Sequence, residues 1–331
     1  MENLDRRGFL GKAGRIAAGL GGLYIVSTLP GCGKNGEEEC PVDEGPRASP
    51  SEIPSPDGTV ESYPGLVVVR GSKADDMLLA GLEAWGGMEA LVLADKRVLI
   101  KVNAAFSRPP GDAATTSPDL VAGAVRMCLE AGASKVTVFD HTLQDLADKT
   151  IEINGIGPAA EAAGAEMIAY AVRKPGKARI VEIPGATALP SAGVLEEIFQ
   201  ADVLINMPKA KHHGGAGLSL SMKNLIGCLQ NMGQIHQIEL HRAVAELNTV
   251  IKPALVIMDA TTILLDNGPG GPGTVADPGE VIIGTDPVAV DSYACGLFGL
   301  TPSELGHIVY GEELGVGTSD FTSLGVGEVA T

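Results

Sequence analysis

The amino-acid sequence predicts an α/β fold: a single large domain with a mostly parallel sheet and helices on both faces. Two observations indicate this class. Short β-branched runs alternate with segments whose apolar residues recur at helical spacing, an order typical of strands joined through crossover helices. In addition, 45% of the 331 residues are hydrophobic, which is enough to fill the core of a large domain. We expect this domain to span residues 65–331.

The predicted strands are short and apolar, as expected for strands that are buried on both faces of a sheet. They are 66–70, 97–103, 135–140, 201–208, 253–260 and 280–284. Three segments have the apolar spacing of helices: 117–133, 286–300 and 301–315. Ser117 is a suitable N-cap for the first of these helices and Gly132 a suitable end, while the other two carry proline near the first turn.

The N-terminus is typical of a targeting segment. Two adjacent arginines precede Gly-Phe-Leu, as in the twin-arginine export signal, and an apolar stretch follows at 16–29. Its 14 residues are too few for a membrane span, which needs roughly 20. "LPGC" at 29–32 resembles a lipoprotein processing site and makes Cys32 the predicted lipidation site. These features predict a twin-arginine signal peptide over 1–31, with an uncleaved N-terminal anchor as the alternative.

Residues 33–64 connect this signal to the domain. They are rich in Pro, Gly, Ser and Glu, so they bury too little apolar surface to fold and are expected to form a flexible tether. Acyl chains on Cys32 would hold the domain at a membrane. The sequence thus predicts export across the cytoplasmic membrane by the twin-arginine machinery, to a periplasmic or other extracytoplasmic face where the N-terminal lipid anchors the protein.

Composition excludes several partners and cofactors. The net charge of −17 argues against nucleic-acid binding, which needs a basic face to replace counterions. The five cysteines form no C-x-x-C pair, so no iron–sulfur cluster is expected from this chain. Cys128, Cys228 and Cys295 lie in apolar segments and are predicted to be buried as small hydrophobic residues.

Polar side chains follow four of the predicted strands at the points where the strands end. The segments are "KVN" at 101–103, "FDH" at 139–141, "NMPKAKHH" at 206–213 and "MDA" at 258–260. Ligands of open parallel sheets bind beyond the carboxyl ends of the strands. We therefore expect these four strand ends to converge on one crevice.

The stretch 208–227, PKAKHHGGAGLSLSMKNLIG, is the strongest candidate for a functional segment. It places three lysines and two histidines beside a glycine-rich loop in an otherwise acidic chain. The residues that follow the loop predict a helix start, with Ser219 or Ser221 as cap and free N–H groups for an anion. This pattern favours an anion-binding loop over a solvated basic loop with Lys223 on an exposed helix face.

A metal site is a further hypothesis for the same crevice. Adjacent residues of an extended segment point in opposite directions, so only one of His212 and His213 should face the crevice. His141 could join it, with Asp140 or Asp259 supplying an oxygen ligand. Three such ligands with one open position would form a catalytic divalent-metal site. The alternative is that the histidines only make hydrogen bonds.

Three further features carry weaker signals. The glycine-rich segment 266–274 lacks a Walker pattern and is either a mobile lid beside Asp259 or an ordinary turn cluster. His236 and His241 do not share a helix face and are predicted to be polar helix positions, although His236 could reach a site. Asp291 lies in an apolar run and needs a buried partner, for which a lysine is the natural choice.

Six segments, which are spread in order along 65–317, carry a family resemblance. They are "LIKVN" (99–103), "TTSPDLVAGAVRMCLEAGASKVTVFD" (115–140), "ADVLINMPKAKHH" (201–213), "SMKNLIG" (221–227), "IMDATTILLDNGPGG" (257–271) and "GTDPVAVDSYACGLFGL" (284–300). In these segments the sequence resembles domain-of-unknown-function family 362. The resemblance implies one α/β domain but no reaction, and the ferredoxin-like cysteine clusters of some relatives suggest redox partner proteins. It also implies that nine residues gather near one site: Lys101, Asn103, Lys209, Lys211, His212, Lys223, Asn224, Asp259 and Asp291.

These observations predict a crevice that binds a small anionic molecule, a carboxylate or a phosphate. In this hypothesis Lys211, His212 and Asp259 are catalytic, in acid/base chemistry or in chemistry assisted by a divalent metal. The ligand-binding residues are Lys101, Asn103, Lys209, Lys223, Asn224 and Asp291, and the metal ligands are His212, His213, His141 and Asp140. The alternative is a non-enzymatic lipoprotein that captures a ligand or serves a redox complex.

Overall fold

The structure is a computed structural model that describes residues 45–54, 65–91 and 94–331. The predicted signal peptide, the lipidation site Cys32 and most of the predicted tether lie outside the described residues. Within the described part of the chain, no helix is both long enough and apolar enough to cross a membrane.

Strands and helices alternate along much of the described chain. The strands are β1 Arg47–Ala48, β2 Leu66–Arg70, β3 Arg97–Val102, β4 Lys135–His141, β5 Glu166–Tyr170, β6 Ala178–Glu182, β7 Ser191–Leu195, β8 Val203–Met207, β9 Lys209–His213, β10 Gly217–Ser219, β11 Leu255–Leu264, β12 Val275–Ala276, β13 Glu280–Gly284 and β14 Val326–Ala330. The α-helices are α1 Ala74–Trp85, α2 Pro118–Glu130, α3 Ala147–Ile153, α4 Ile156–Ala162, α5 Glu196–Gln200, α6 Ser221–Asn224, α7 Met232–Ile235, α8 Leu240–Asn248, α9 Pro287–Cys295 and α10 Gly306–Glu313.

The large sheet is mixed, which corrects the prediction of a mostly parallel sheet. Its main path has the strand order β14-β2-β13-β11-β8-β3-β4-β5. The run from β11 to β5 is parallel, as is β14 against β2, but β13 runs antiparallel to both β11 and β2. The connection 265–279 holds β12, which pairs antiparallel with the end of β11. The chain therefore turns back beside β11 instead of crossing over through a helix.

Helices cover both faces of this sheet, as the sequence predicts, and the α/β class is confirmed. Leu66 and Val68 of β2 join one core cluster, to which α8, α9 and α10 contribute. Val67 and Val69 point the other way and join a second cluster with α1, α2 and α4. The three cysteines that were predicted to be buried are buried as free thiols: Cys128, Cys228 and Cys295.

The segment 208–227 differs from its prediction, because much of the expected glycine-rich loop is a β-hairpin. Pro208 separates β8 from β9, and β9 then pairs antiparallel with β10, with Lys211 opposite Ser219. Only residues 214–216 form the turn between the two strands. Two lysines and both histidines of this segment, at 209–213, are therefore held at fixed positions on β9.

Residues 45–54 are part of the folded domain, although their composition places them in the predicted tether. β1 pairs in parallel with β6 in a small sheet that also contains β7. Ile53 packs into the core with only 3% of its surface exposed, and Glu52 lies 3.2 Å from Arg179. The compact unit begins at Gly45, upstream of the predicted boundary at residue 65.

Candidate functional site

A cavity of about 90 Å³ lies beyond the carboxyl ends of β3 and β4. A single water needs roughly 10–15 Å³ by the same measure, so the cavity has room for a ligand of several heavy atoms. Phe106, Ile226 and Met232 supply apolar wall. Eight of the predicted site residues line the cavity: Lys101, Asn103, Asp140, His141, Lys211, His213, Lys223 and Asn224.

Lys101 is one of three lysines in the cavity wall, and its charge is neutralised. Its Nζ lies 2.7 Å from Oδ1 of Asp140 and donates a hydrogen bond of 2.6 Å to the carbonyl of Val102. Asp140 in turn accepts hydrogen bonds from the backbone N–H groups of Ala104 and His141, at 2.5 and 2.7 Å. Lys101 and Asp140 therefore neutralise each other, and both find their hydrogen-bond partners within the protein.

Lys211 is buried, and it has no carboxylate partner among the described residues. Its Nζ donates to Oδ1 of Asn103 at 3.0 Å and to the carbonyl of Ala114, both of which are neutral oxygens. The ammonium also lies 4.9 Å from the centre of the Phe106 ring, a weaker cation–π contact. Burial, reinforced by the charge of Lys223, holds the pKa of Lys211 well below its usual range.

Lys223 has still fewer partners. Its side chain begins on the short helix α6 and is only 4% exposed. Among the described residues it forms no hydrogen bond and no ion pair. Burial alone lowers the pKa of Lys223 to about 7, so a large fraction of this amine is uncharged near neutral pH.

A chain of asparagine amides fixes the floor of the cavity. Asn103 donates from Nδ2 to Oδ1 of Asn224 at 3.1 Å, and Asn224 donates to Oδ1 of Asn206 at 2.8 Å. Asn206 donates to the carbonyl of Ser221 at 2.9 Å, which ties β8 to the start of α6. Asn206 was not among the predicted site residues, although an asparagine within a strand buried on both faces is itself a signal of a polar network.

Backbone contacts determine the tautomer of His213. Its Nδ1 accepts hydrogen bonds from the N–H groups of Gly215 and Ala216, at 3.0 and 3.2 Å, so the ring proton is on Nε2. Burial, reinforced by the charge of Lys223, lowers the pKa of His213 to about 2 and keeps the ring neutral. Its ring stacks on His236, which also lines the cavity, at a centroid distance of 5.7 Å.

The predicted metal ligands do not form a metal site, although Asp140, His141 and His213 all line the cavity. Nδ1 of His212 accepts a hydrogen bond of 3.1 Å from the N–H of Gly268, and His212 does not line the cavity. Nδ1 of His141 lies 2.9 Å from the carbonyl of Leu229, and Asp140 is held by Lys101. Across the described residues, no group of three or more His, Cys, Asp or Glu side chains is arranged to hold a metal ion.

Lys209 and Asp259 form a second buried ion pair that does not line the cavity. Nζ of Lys209 lies 2.9 Å from Oδ2 of Asp259 and donates a hydrogen bond of 2.8 Å to Thr262. Asp259 also accepts hydrogen bonds from Ser117 and Thr261, so its lone pairs are used by the protein itself. This placement is at odds with the predicted roles of Asp259 in catalysis and of Lys209 in ligand binding.

Asp291 meets backbone N–H groups rather than the lysine that the sequence predicted. Its carboxylate accepts hydrogen bonds from Ser221 and Met222, at 2.7 and 3.0 Å, and so occupies the N–H groups at the start of α6. Those groups were expected to bind an external anion. Complete burial raises the pKa of Asp291 to about 7, an effect that the two N–H groups oppose.

The glycine-rich segment 266–274 is tied to the rest of the domain. Arg108 donates to the carbonyls of Gly270 and Gly271, both at 2.9 Å, and Gly268 is bonded to His212. A Cβ on Gly268 would lie 1.8 Å from the carbonyl oxygen of His212, so only glycine fits there. These contacts place Pro269 in the cavity wall.

Fold and cavity together define an α/β protein with a buried, lysine-rich cavity at the strand ends. The chain belongs to the family described as Domain of unknown function (DUF362), which residues 98–296 match. That range contains every residue named above in the cavity wall.

Known proteins that are similar to this chain include a cyanobacterial relative and a solved structure. A protein of Synechocystis sp. strain PCC 6803 that is named as thylakoid-associated is 30% identical over 251 residues, which are 71% of this chain and 73% of the relative. Among solved structures, the lactate racemase apoprotein from Thermoanaerobacterium thermosaccharolyticum aligns with a TM-score of 0.41 and 13% identity, over 79% of this chain. The aligned region spans 61% of that structure.

Proposed function

We propose that the cavity binds a small anion, either a carboxylate or a phosphate. The observation that carries the proposal is the pair Lys211 and Lys223, two buried amines that line one cavity and form no ion pair within the described residues. An unpaired buried cation is unfavourable, and an anion that enters would gain an attraction strengthened by the low local dielectric. Its charge would also raise the depressed pKa values of both lysines and favour their protonated forms.

The surrounding groups support a selective site. The amide of Asn103 donates to Asn224 and accepts from Lys211, so the two amides position the lysine rather than remaining free for the ligand. Since Nδ1 of His141 donates to a carbonyl, its Nε2 is an acceptor, and this atom is buried without a partner among the described residues. Because His141 lines the cavity, this unpartnered nitrogen is the candidate group to take up a proton from a bound ligand, which favours an acid/base enzyme.

Isothermal titration of the protein with inorganic phosphate, acetate and oxalate tests the anion site. We expect at least one of them to bind, and Lys223→Met or Lys211→Met to weaken that binding about tenfold or more, because a charged hydrogen bond contributes roughly 1.5–3 kcal/mol. Lys252 is exposed, so Lys252→Met should bind as the wild type does. Circular dichroism would verify folding. Equal binding by all four proteins, or none by the wild type, would refute the proposal.

Non-enzymatic capture of the same anion, on behalf of a redox complex or of another partner protein, is the second candidate. The ion pair between Lys209 and Asp259 favours this second candidate. The pair neutralises Asp259, which is one of the three residues predicted to be catalytic. Prolonged incubation with the bound anion distinguishes the two candidates. Stoichiometric recovery of the unchanged anion supports capture, whereas its conversion supports an enzyme.

We further infer that the protein is exported by the twin-arginine route and is tethered by a lipid on Cys32. The adjacent Arg6 and Arg7 and the "LPGC" sequence support this, and a relative named as thylakoid-associated favours a location at a membrane. Replacing both arginines by lysine should retain the protein in the cytoplasm. Cys32→Ala should abolish metabolic labelling with palmitate, and a labelled Cys32→Ala chain would contradict lipidation at this residue.

A further inference from the structure

Lys223 is held in place more firmly than a lysine on a surface helix. Its helix α6 is fixed at its start by Asp291, which accepts the N–H groups of Ser221 and Met222. The next residue, Asn224, is bonded to Asn206 of β8 and to Asn103, which directly follows β3. The backbone from which the amine projects into the cavity wall is therefore anchored on both sides.

The environment of this amine is the one that activates a lysine as a nucleophile. An amine attacks a carbonyl carbon only when its nitrogen lone pair is free of a proton. Burial of Lys223 and the absence of an ion-pair partner among the described residues both disfavour the protonated form. Lys211 lines the same cavity, and its amine donates to the neutral oxygens of Asn103 and Ala114.

We propose that Lys223 forms an imine with the carbonyl carbon of a small 2-oxo acid whose carboxylate is held by Lys211. This inference rests on the proposed anion site and names its ligand class. A 2-oxo acid carries a carboxylate beside an electrophilic carbonyl, so one ligand engages both lysines. The smallest members have about five or six heavy atoms, which suits a cavity of about 90 Å³.

The reaction is balanced without any co-reactant. The Lys223 nitrogen forms a bond to the carbonyl carbon, and the carbonyl π electrons move to oxygen. Two protons pass from the amine to that oxygen, the C–O bond breaks, and the oxygen leaves as water while a C=N bond forms. His141 lines the same cavity, and its Nε2, which has no hydrogen-bond partner among the described residues, would carry the proton between nitrogen and oxygen.

Reductive trapping tests the inference on the whole protein. Pyruvate and glyoxylate are incubated with the protein in the presence of cyanoborohydride, and peptide mapping by mass spectrometry locates the adduct. With pyruvate, Lys223 should gain the mass of pyruvic acid less one oxygen atom. Lys223→Arg keeps a cation but forms no imine, so we expect it to lose the adduct, while Lys252→Met should retain it. At low pyruvate, Lys211→Met should be labelled at least tenfold more slowly.

Propionate is a control ligand that distinguishes imine formation from anion binding alone. Propionate has the carboxylate of pyruvate without the carbonyl, so it should bind but leave no adduct. If propionate binds in the Lys211- and Lys223-dependent manner and no adduct forms on Lys223 with either oxo acid, the imine is overturned and the anion site stands. Adducts spread evenly over exposed lysines such as Lys252 would also overturn the imine. If no carboxylate or phosphate binds and no adduct forms, both proposals fail.

Discussion

Lys223 combines burial with the lack of a partner, and this combination should be visible in the stability of the whole domain. Its pKa is about 7 in the folded protein and 10.5 in an unperturbed chain, so the unfolded state binds more protons between these values. The free energy of unfolding should therefore rise with pH across this window, by about 1.4 kcal/mol per pH unit from this residue. Below pH 7 both states are protonated, and the cost of burying the charge is fully present.

Urea unfolding at a series of pH values between 6 and 10 measures this slope. Lys223→Met should remove the contribution and be more stable than the wild type at pH 6, since methionine buries no charge. Lys252→Met is the control, because an exposed lysine should leave the slope unchanged. Parallel curves for the wild type and Lys223→Met would contradict the assigned environment.

Lys209→Met should lower the stability of the domain, which is the opposite of the effect expected for Lys223→Met at pH 6. The ammonium of Lys209 neutralises Asp259 at 2.9 Å, and both side chains are buried. Lys209→Met would leave a buried carboxylate without its counter-charge, which typically costs about 3–5 kcal/mol. We expect a lower midpoint of urea unfolding for Lys209→Met, and a partial recovery in the double variant with Asp259→Asn. A loss as small as that of an exposed lysine would argue against the ion pair.

At the level of elements, the 3-10 turn Leu225–Cys228 closes over the Lys101–Asp140 pair. A Cβ on Gly227 would lie 2.7 Å from both Oδ1 of Asp140 and Cε of Lys101. Gly227→Ala should therefore displace the turn, destabilise the domain by about 1–3 kcal/mol and weaken anion binding. Thermal unfolding and phosphate titration measure the two effects. Gly296→Ala is the matched control, since it also lies in a 3-10 turn and its Cβ would meet nothing within 4 Å.

The elements also show what the sequence could and could not predict. Periodicity located six of the eight strands on the main path of the large sheet, and three of the helices, because burial on one or both faces leaves a pattern that is local in the chain. The direction of β13 was not predictable in this way, since a strand that is buried on both faces has the same composition in either orientation. The hairpin of β9 and β10 was missed because its short strands carry mostly polar or charged letters, although they are largely buried.

The candidate site shows the same division. Strand ends and the 208–227 segment placed Lys101, Lys211 and Lys223 together, and all three line one cavity. The sequence could not assign their partners, because these lie far away along the chain. Asp259 is 50 residues from Lys209, and the carboxylate of Asp291 is 70 residues from the N–H group of Ser221 that it binds. Only the tertiary fold determines which buried charges are neutralised and which stay available.

For the molecule as a whole, the segment 45–54 determines where the stable domain begins. Ile53 is 3% exposed, and burying such a side chain contributes about 1.5–3 kcal/mol, whereas the partly exposed Glu52–Arg179 pair contributes at most about 1 kcal/mol. A chain that starts at Gly65 should therefore be about 2–3 kcal/mol less stable than one that starts at Gly45, as measured by urea unfolding. In the longer chain, Ile53→Ala should reproduce most of this loss of stability, because it empties the buried position. Glu52→Gln should reproduce very little of it. Equal stability of the two chains would show that β1 and Ile53 add nothing to the core.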